Sequence, residues 1–122
     1  MSRYTPVCRI VRRYKNDLGV KTRPIEGKCK FNVRPGQHGA KKRKTSDYAQ
    51  QLAAKQMLRF KYGLTERVFR NLYKEATRKK GVTGTVLLQF LESRLDNLLF
   101  QMGFASTRRQ ARQMVSHKHV TV

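Results

Sequence analysis

Basic side chains interleaved with aromatic rings dominate the first 44 residues of the chain. This segment holds 14 basic and 2 acidic residues, a local charge of +12. Guanidinium groups bind phosphate through paired hydrogen bonds, and rings such as Tyr4, Tyr14 and Phe31 can stack on bases or sugars. The pattern therefore predicts contact with a nucleic-acid backbone. The candidate contact residues in this segment are Arg3, Tyr4, Arg9, Arg12, Arg13, Lys28, Lys30, Arg34, Lys41, Lys42, Arg43 and Lys44.

A turn-forming sequence, Pro35-Gly36-Gln37-His38-Gly39, lies within this basic segment. Proline and glycine favour tight turns, and the side chains of Gln37 and His38 add hydrogen-bonding groups. The alternative explanation of the charge is a solvated, disordered basic tail, but a simple linker would not need those groups. We therefore add Gln37 and His38 to the candidate contacts.

A predicted helical hairpin offers a second basic surface. A long apolar helix ends at Gly103, and a short helix capped by Thr107 follows with Arg108, Arg109 and Arg112 on its outer face. A helix N-terminus beside cationic side chains favours phosphate, and a DNA-reading helix–turn–helix has the same outline. An ordinary hairpin with a solvated face explains this pattern equally well.

The acidic residues do not form a catalytic arrangement. The seven acids are scattered, and Glu92 and Asp96 flank Arg94, which predicts ion pairs rather than acid–base chemistry. The sequence has no Gly-rich phosphate loop and no Cys–His spacing that would activate a thiol. We therefore expect no enzymatic activity, no catalytic residue, no cofactor and no small-molecule substrate.

The two cysteines, Cys8 and Cys29, are expected to be reduced thiols, because no secretory signal precedes them. Together with His38 they would supply three metal ligands. A structural zinc site needs four ligands at short paired spacing, and the sequence has no Cys-x-x-Cys. The prediction is that no metal is bound.

The charge of the whole chain implies a polyanionic partner. Its 122 residues include 28 Lys and Arg against 7 Asp and Glu, a net charge of +21. A small domain with that charge repels itself unless counter-charge surrounds it. Nucleic acid is favoured over a membrane, because no apolar run of about 18 residues is present. The absence of an export signal indicates the cytoplasm, or an organelle that translates its own message.

The elements that position these residues are mainly helical. Residues 1–44 show no sustained period and predict an irregular arm, whereas Ser46 caps a helix that Gly63 ends. A second helix runs from a Thr65 cap to Gly81, with an apolar stripe of Val68, Phe69, Leu72, Tyr73 and Ala76.

The third predicted helix, 85–102, is the most apolar and is expected to be central. Thr107 and Gln110 form a capping box at the start of the fourth helix. Residues 120–122 alternate like the beginning of a strand. The predicted organisation is a basic extended arm (1–44), a helical body (45–89) and a C-terminal segment (90–122).

Several blocks of sequence resemble the family of the fourth protein of the bacterial-type small ribosomal subunit. The first blocks are Arg34 to Gly39, Ser46-Asp47-Tyr48 with Gln51-Leu52, and Tyr62-Gly63. The later blocks, 91–97 and 103–117, resemble the opening of that family's RNA-binding module, which also occurs in pseudouridine synthases and tyrosyl-tRNA synthetases. The resemblance runs from Arg3 to Val122 with consistent spacing. It implies that residues 90–122 are the first part of an α+β RNA-binding module.

The resemblance implies a primary binder of the five-prime domain of small-subunit ribosomal RNA, near a multi-helix junction. It implies roles in nucleating ribosome assembly and in translational accuracy, with neighbouring small-subunit proteins and messenger RNA close by. Asn97 and Gln110 are equally well explained as structural caps or bridges. The RNA contacts carried over by position are Ser46, Tyr48, Arg94, Asn97, Ser106, Thr107, Arg108, Arg109, Gln110, Arg112 and His117.

The sequence departs from the family pattern in three places. Tyr4-Thr5-Pro6 lacks the usual glycine, so the first turn is expected to differ. Cys8 and Cys29 match two of four cysteine positions found in some relatives, which weakens the case for zinc further. The family continues with a strand-rich stretch after the counterpart of Val122, so we expect a C-terminally shortened member that cannot close its sheet.

Two other functions compete with this interpretation. One is the RNA-binding appendage of an RNA-modifying enzyme, which would need a catalytic domain that nothing before Leu91 supplies. The other is a basic helix–turn–helix protein that binds DNA.

Overall fold

The described part of the chain is mainly α-helical. In a computed structural model, which describes residues 6–20, 29–41 and 44–122, six helices and no strand are present. The predicted mainly α fold is confirmed. In chain order the helices are α1 (Val7–Tyr14), α2 (Asp47–Lys61), α3 (Glu66–Arg78), α4 (Thr83–Glu92), α5 (Leu95–Gln101) and α6 (Arg108–Ser116).

The chain divides into two compact units, Met1–Lys61 and Tyr62–Val122. The first contains α1 and α2, and the second contains α3 to α6. The predicted boundaries after residues 44 and 89 stay a prediction. In the described ranges, no helix has both the length and the apolar content needed to cross a bilayer.

Helix α1 lies in the segment that we expected to be irregular, and that expectation was wrong for these eight residues. Val7, Ile10 and Val11 are spaced so that they share one helical face, and all three are buried. Val7 and Val11 form a small apolar core with Cys29, flanked by Phe31. Cys29 and Phe31, which complete this core, are distant from α1 in the sequence. The apolar spacing of the eight residues of α1 was therefore not enough to predict it.

Cys8 and Cys29 are joined by a disulfide, which corrects the expectation of two reduced thiols. The fold brings their Cα atoms to 5.5 Å, a separation typical of disulfides. The prediction rested on the absence of a secretory signal, which concerns the cellular compartment and not the distance between the two side chains. The bond links α1 to the segment that begins at Cys29.

Helix α2 begins as predicted. The hydroxyl Oγ of Ser46 accepts a hydrogen bond from the backbone N–H of Ala49 (3.3 Å), and Asp47 occupies the first turn. Gly63, just beyond the helix, has φ +61°, the left-handed conformation expected of a stop.

The second unit begins with α3, whose predicted apolar stripe is only partly buried. Phe69 and Ala76 are in the core, but Val68 and Tyr73 are 38% and 51% exposed. Because α3 is packed mainly against α4, only one narrow line of side chains is covered. The prediction of a full inward stripe was wrong at Val68 and Tyr73.

The long helix predicted over 85–102 is two helices, α4 and α5, broken at Ser93 and Arg94. Arg94 has ψ 137°, an extended conformation that stops α4, and its carbonyl accepts the first backbone hydrogen bonds of α5. Apolar residues continue across the break, so periodicity did not mark it. Leu91 is fully buried, as expected of a central helix, but four other apolar residues of this segment are exposed: Leu88, Leu95, Leu98 and Met102.

Helices α5 and α6 form the predicted hairpin around Leu99, Ala105 and Ala111. Thr107 Oγ1 accepts a hydrogen bond from the Gln110 N–H (3.2 Å), and Gln110 Oε1 accepts one from the Ser106 N–H (3.0 Å). The predicted capping box is therefore present with one difference. The side chain of Gln110 accepts from the backbone N–H of Ser106 and not from that of Thr107. Residues 120–122 are not part of a strand.

Candidate nucleic-acid interface

The turn at residues 35–39 is held against α1 by an arginine. Arg12 donates from Nε to the carbonyl of Val33 (2.9 Å) and from Nη2 to the carbonyl of Arg34 (3.3 Å). Within the turn, the Gly39 N–H donates to the Gly36 carbonyl (3.2 Å). Arg12, predicted as a phosphate contact, thus has an architectural role in the first unit.

Gly39 is required by a close backbone approach. A Cβ atom at this position would lie 2.0 Å from the carbonyl oxygen of Arg34. Gly36 has φ +99°, a conformation that L side chains rarely adopt. The compact turn predicted from the sequence is therefore formed, and its two glycines are there for different reasons.

A pocket of about 710 Å³ lies between α1, this turn and α2. Six of the predicted contact residues line it: Arg9, Arg13, Arg34, Gln37, His38 and Lys41. The remaining lining residues are Tyr14, Pro35, Gly36, Gly39, Thr45, Ala49 and Ala53. We call this concavity the arm pocket.

The arm pocket combines concentrated positive charge with a partly apolar floor. Its described lining includes four full positive charges and no carboxylate. Tyr14 is half-buried, and its ring packs against Phe60 with a centroid separation of 6.0 Å. The site suits an anionic ligand that also has a flat apolar surface.

The second unit uses its arginines differently, because several of them bind carboxylates of the same chain. Arg94 Nε lies 3.0 Å from Asp96 Oδ1, and Arg112 Nη2 lies 2.7 Å from Asp96 Oδ2. Asp96 is buried, with a side chain 7% exposed. Arg112 also donates to the backbone carbonyls of Tyr62 and Gly63. Arg94, Asp96 and Arg112 form what we call the Asp96 cluster.

A second internal network surrounds Glu92. Its carboxylate accepts hydrogen bonds from the Tyr62 hydroxyl, from Asn97 Nδ2 (2.6 Å) and from Gln101 Nε2 (2.6 Å). Asn97 is 1% exposed, and its Oδ1 accepts from Arg108 Nε (2.8 Å). The predicted ion pairing of Glu92 with Arg94 is replaced by these hydrogen bonds. Tyr62, Glu92, Asn97, Gln101 and Arg108 form the Glu92 cluster.

The two clusters change the ionisation of their members. Burial and the hydrogen bond to Glu92 raise the pKa of Tyr62 to about 12. The hydrogen bond from Tyr62 is the main cause that lowers the pKa of Glu92. Burial alone would raise the pKa of Asp96, but hydrogen bonds from Arg94 and Arg112 outweigh it and lower that pKa. Both carboxylates are therefore held ionised.

Arg108 is enclosed by aromatic rings as well as by Asn97. Its guanidinium carbon lies 4.4 Å from the centroid of Phe100 and 5.3 Å from that of Tyr62. Arg108 and Arg112 are thus partly buried within the second unit, which corrects the expectation that they lie outside the hairpin. No local pattern predicts this burial, because Arg108 and Arg112 bind partners that lie 11 and 16 residues away.

Other predicted contacts in the second unit are exposed. Arg109, Gln110 and His117 lie on the outer side of α6, and the His117 ring is 6.0 Å from that of His119. Ser106 and Thr107 serve the α6 cap. Asn97 and Gln110, for which contact and structural roles were equally expected, both have structural hydrogen bonds.

The remaining predicted contacts lie on the surface of the first unit or are not described. Lys30, Lys44 and Ser46 are exposed, and Tyr48 is 74% exposed. None of these four lines the arm pocket. The following predicted residues lie outside the described ranges: Arg3, Tyr4, Lys28, Lys42 and Arg43.

Sequence reasoning missed the apolar part of the arm pocket. Ala49 and Ala53 are four residues apart on α2, so they share the face that lines the pocket. The sequence signal for this surface was the pair of alanines at helical spacing. That pair predicts a pocket only when the turn at 35–39 is known to lie opposite α2.

Comparison with known proteins gives two family matches that together span almost the whole chain. Residues 3–92 match the "Ribosomal protein S4/S9 N-terminal domain" model, and residues 93–122 match the "S4 domain" model. Proteins named "Small ribosomal subunit protein uS4" are 54% identical in Neisseria meningitidis serogroup B and Alkalilimnicola ehrlichii, over 125 aligned residues. The protein of that name from Stenotrophomonas maltophilia K279a is 55% identical over 127 residues.

These alignments cover all of the present chain and 61% of each relative. The chain therefore spans about three-fifths of the length of these relatives. The resemblance noted from the sequence is confirmed: the chain belongs to the ribosomal protein S4 family.

Proposed function

We propose that this chain is an RNA-binding structural protein of the small ribosomal subunit, without enzymatic activity. In this proposal it binds the five-prime domain of small-subunit ribosomal RNA, nucleates assembly of the ribonucleoprotein and supports translational accuracy. Its site of action is the ribosome, in the cytoplasm or in an organelle. The proposal also places the chain next to other small-subunit proteins and close to messenger RNA.

The observation that carries the proposal is the arm pocket. Arg9, Arg13, Arg34 and Lys41 converge there from α1, the turn and the segment that follows it. Phosphate contacts of this kind neutralise RNA and release counterions, which gives affinity without base readout. Structured RNA is recognised largely by shape and backbone. A turn that Arg12 holds against α1 suits this kind of recognition.

The clustered arginines of the second unit have a supporting role in this proposal. Arg94, Arg108 and Arg112, with Asn97, hold α5 and α6 in place, and their direct contact with RNA stays a prediction. Arg109, Gln110 and His117 are the proposed contacts on α6. Lys30, Lys44, Ser46 and Tyr48 are proposed contacts beside the arm pocket.

A competition assay tests the function. The chain is bound to a labelled five-prime-domain transcript at physiological salt and challenged with unlabelled transcript or with duplex DNA of equal phosphate content. We expect the transcript to compete at least tenfold better, since typical nonspecific binding is far weaker than specific binding. Equal competition would support the DNA-binding alternative. Cell fractionation provides a second test, in which absence from ribosomal particles contradicts the proposal.

A further inference from the structure

The arm pocket has features that a surface for backbone phosphates alone would not need. It is concave, its volume of about 710 Å³ falls within the roughly 300–1,000 Å³ typical of ligand pockets, and α2 contributes two small side chains, Ala49 and Ala53. A convex basic face would give the same electrostatic attraction. The space beside these two alanines therefore indicates that a ligand binds there.

Resting on the proposed function, we propose that the arm pocket receives one unpaired nucleotide of the RNA, turned out of its stack. In the pocket the base lies against the half-buried Tyr14 ring and the two alanines. The phosphates on either side of this nucleotide contact the basic side chains of the lining. Gln37 and His38 supply hydrogen-bonding groups at the edge of the base.

The ring of Tyr14 is suited to this role because it is supported from within the unit. It packs against Phe60 at 6.0 Å and also lines the pocket. A braced ring loses little conformational entropy on binding, and stacking on aromatic side chains is the usual way in which unpaired bases are held.

The charge of the lining indicates a nucleotide within a chain, not a free mononucleotide. Arg9, Arg13, Arg34 and Lys41 supply four positive charges, with no carboxylate among the described lining residues. One terminal phosphate would neutralise at most half of them. Consecutive phosphates of a polymer match the set better.

Filling the pocket without changing its charge tests the inference. Ala53→Phe introduces a ring into the lining, while Ala54→Phe places the same ring at the next position, which is exposed and does not line the pocket. The probes are two RNA duplexes of identical sequence, one perfectly paired and one with a single unpaired uridine. Affinities of the 122-residue chain are measured by fluorescence anisotropy, with circular dichroism to verify folding.

The wild type and Ala54→Phe are expected to bind the bulged duplex about tenfold more tightly than the paired one, the size of effect that stacking of one base provides. Ala53→Phe is expected to bind both duplexes equally. A folded Ala53→Phe variant that keeps the preference would overturn the inference, and so would a wild type without one.

A second measurement needs no variant. With 2-aminopurine as the unpaired nucleotide, quenching by acrylamide is compared before and after the wild-type chain binds. Enclosure of the base predicts a severalfold lower quenching constant, and an unchanged constant would contradict it. These outcomes are separable from failure of the proposed function, which is shown by equal competition of duplex DNA with the five-prime-domain transcript.

Discussion

The two units of the chain use arginine for opposite purposes. In the first, Arg9, Arg13 and Arg34 line a pocket whose described walls include no carboxylate. In the second, Arg94 and Arg112 bind the buried carboxylate of Asp96. Basic residues that look alike in the sequence thus differ in the fold, since some line a pocket and others bind groups of the same chain. A carboxylate partner accounts for the internal role of Arg94 and Arg112, whereas Arg12 is held by backbone carbonyls.

This comparison predicts that charge changes in the second unit alter stability more than they alter RNA affinity. Asp96→Ala leaves two arginines without their carboxylate, and breaking buried pairs of this kind costs about 3–5 kcal/mol. Because the Arg94 and Arg112 side chains remain 31% and 34% exposed, water offsets part of the loss. We expect a loss of about 3 kcal/mol in the free energy of unfolding, measured with urea.

Asp47→Ala is the matched control for that variant, because Asp47 is an exposed aspartate in the first turn of α2. Its expected cost is about 0.5 kcal/mol, the value of a favourable charge at a helix N-terminus. Equal losses in the two variants would contradict the division of roles between the units.

Two glycine-to-alanine changes sharpen the comparison. Gly39→Ala places Cβ against the Arg34 carbonyl, so the turn must shift at a cost of about 2 kcal/mol. Because this turn forms one wall of the arm pocket, RNA affinity should fall as well. Gly84→Ala, within α4 and with open space around it, should instead stabilise the chain by about 0.5–1 kcal/mol. Thermal denaturation and anisotropy measure both effects.

Arg9 and Arg12, three residues apart on α1, should respond differently to substitution by alanine. Arg12→Ala removes the hydrogen bonds to Val33 and Arg34 and is expected to cost about 1 kcal/mol of stability. Arg9→Ala, at an exposed pocket residue, should leave stability unchanged and weaken RNA binding. If Arg9→Ala destabilised the chain as much as Arg12→Ala, the architectural role of Arg12 would be wrong.

The smallest expected effects concern pH. The pKa values of Glu92 and Asp96 are lowered by folding from ordinary values of 4.5 and 3.8. Their contribution to stability is therefore present above about pH 4.5 and is lost as the pH falls below it. The pKa of Tyr62 is raised to about 12, so its contribution is lost as the pH rises from 10 towards 12.

Urea unfolding at a series of pH values measures both limits. Glu92→Gln should flatten the acid limb, since it removes one of the two carboxylates that must remain ionised. An unchanged acid limb in that variant would show that Glu92 is not held ionised by Tyr62.

Local features were predictable from the sequence, and features that depend on distant partners were not. The Ser46 cap, the Gly63 stop and the Thr107–Gln110 cap follow from neighbours within four residues, and all three are present. The break between α4 and α5 was not predicted, because apolar spacing continues across it. The disulfide was not predicted either, because its two cysteines are 21 residues apart in the sequence.

The candidate site shows the same division. Composition and the 35–39 turn identified six of the residues that line the arm pocket. The alanines of its floor, the role of Arg12 and the internal partners of Arg108 and Arg112 depend on tertiary contacts that no local pattern encodes.

The salt dependence of RNA binding tests the central claim most directly. Each phosphate contact contributes about 0.7–0.9 to the slope of log affinity against log salt. For the five-prime-domain transcript, the double variant Arg13→Gln and Arg34→Gln should lower the slope by about 1.4–1.8, two contacts' worth. The double variant Arg94→Gln and Arg112→Gln should lower the slope by less, because Asp96 already pairs with both side chains. A larger change from the second pair than from the first would contradict the assignment of RNA binding to the arm pocket.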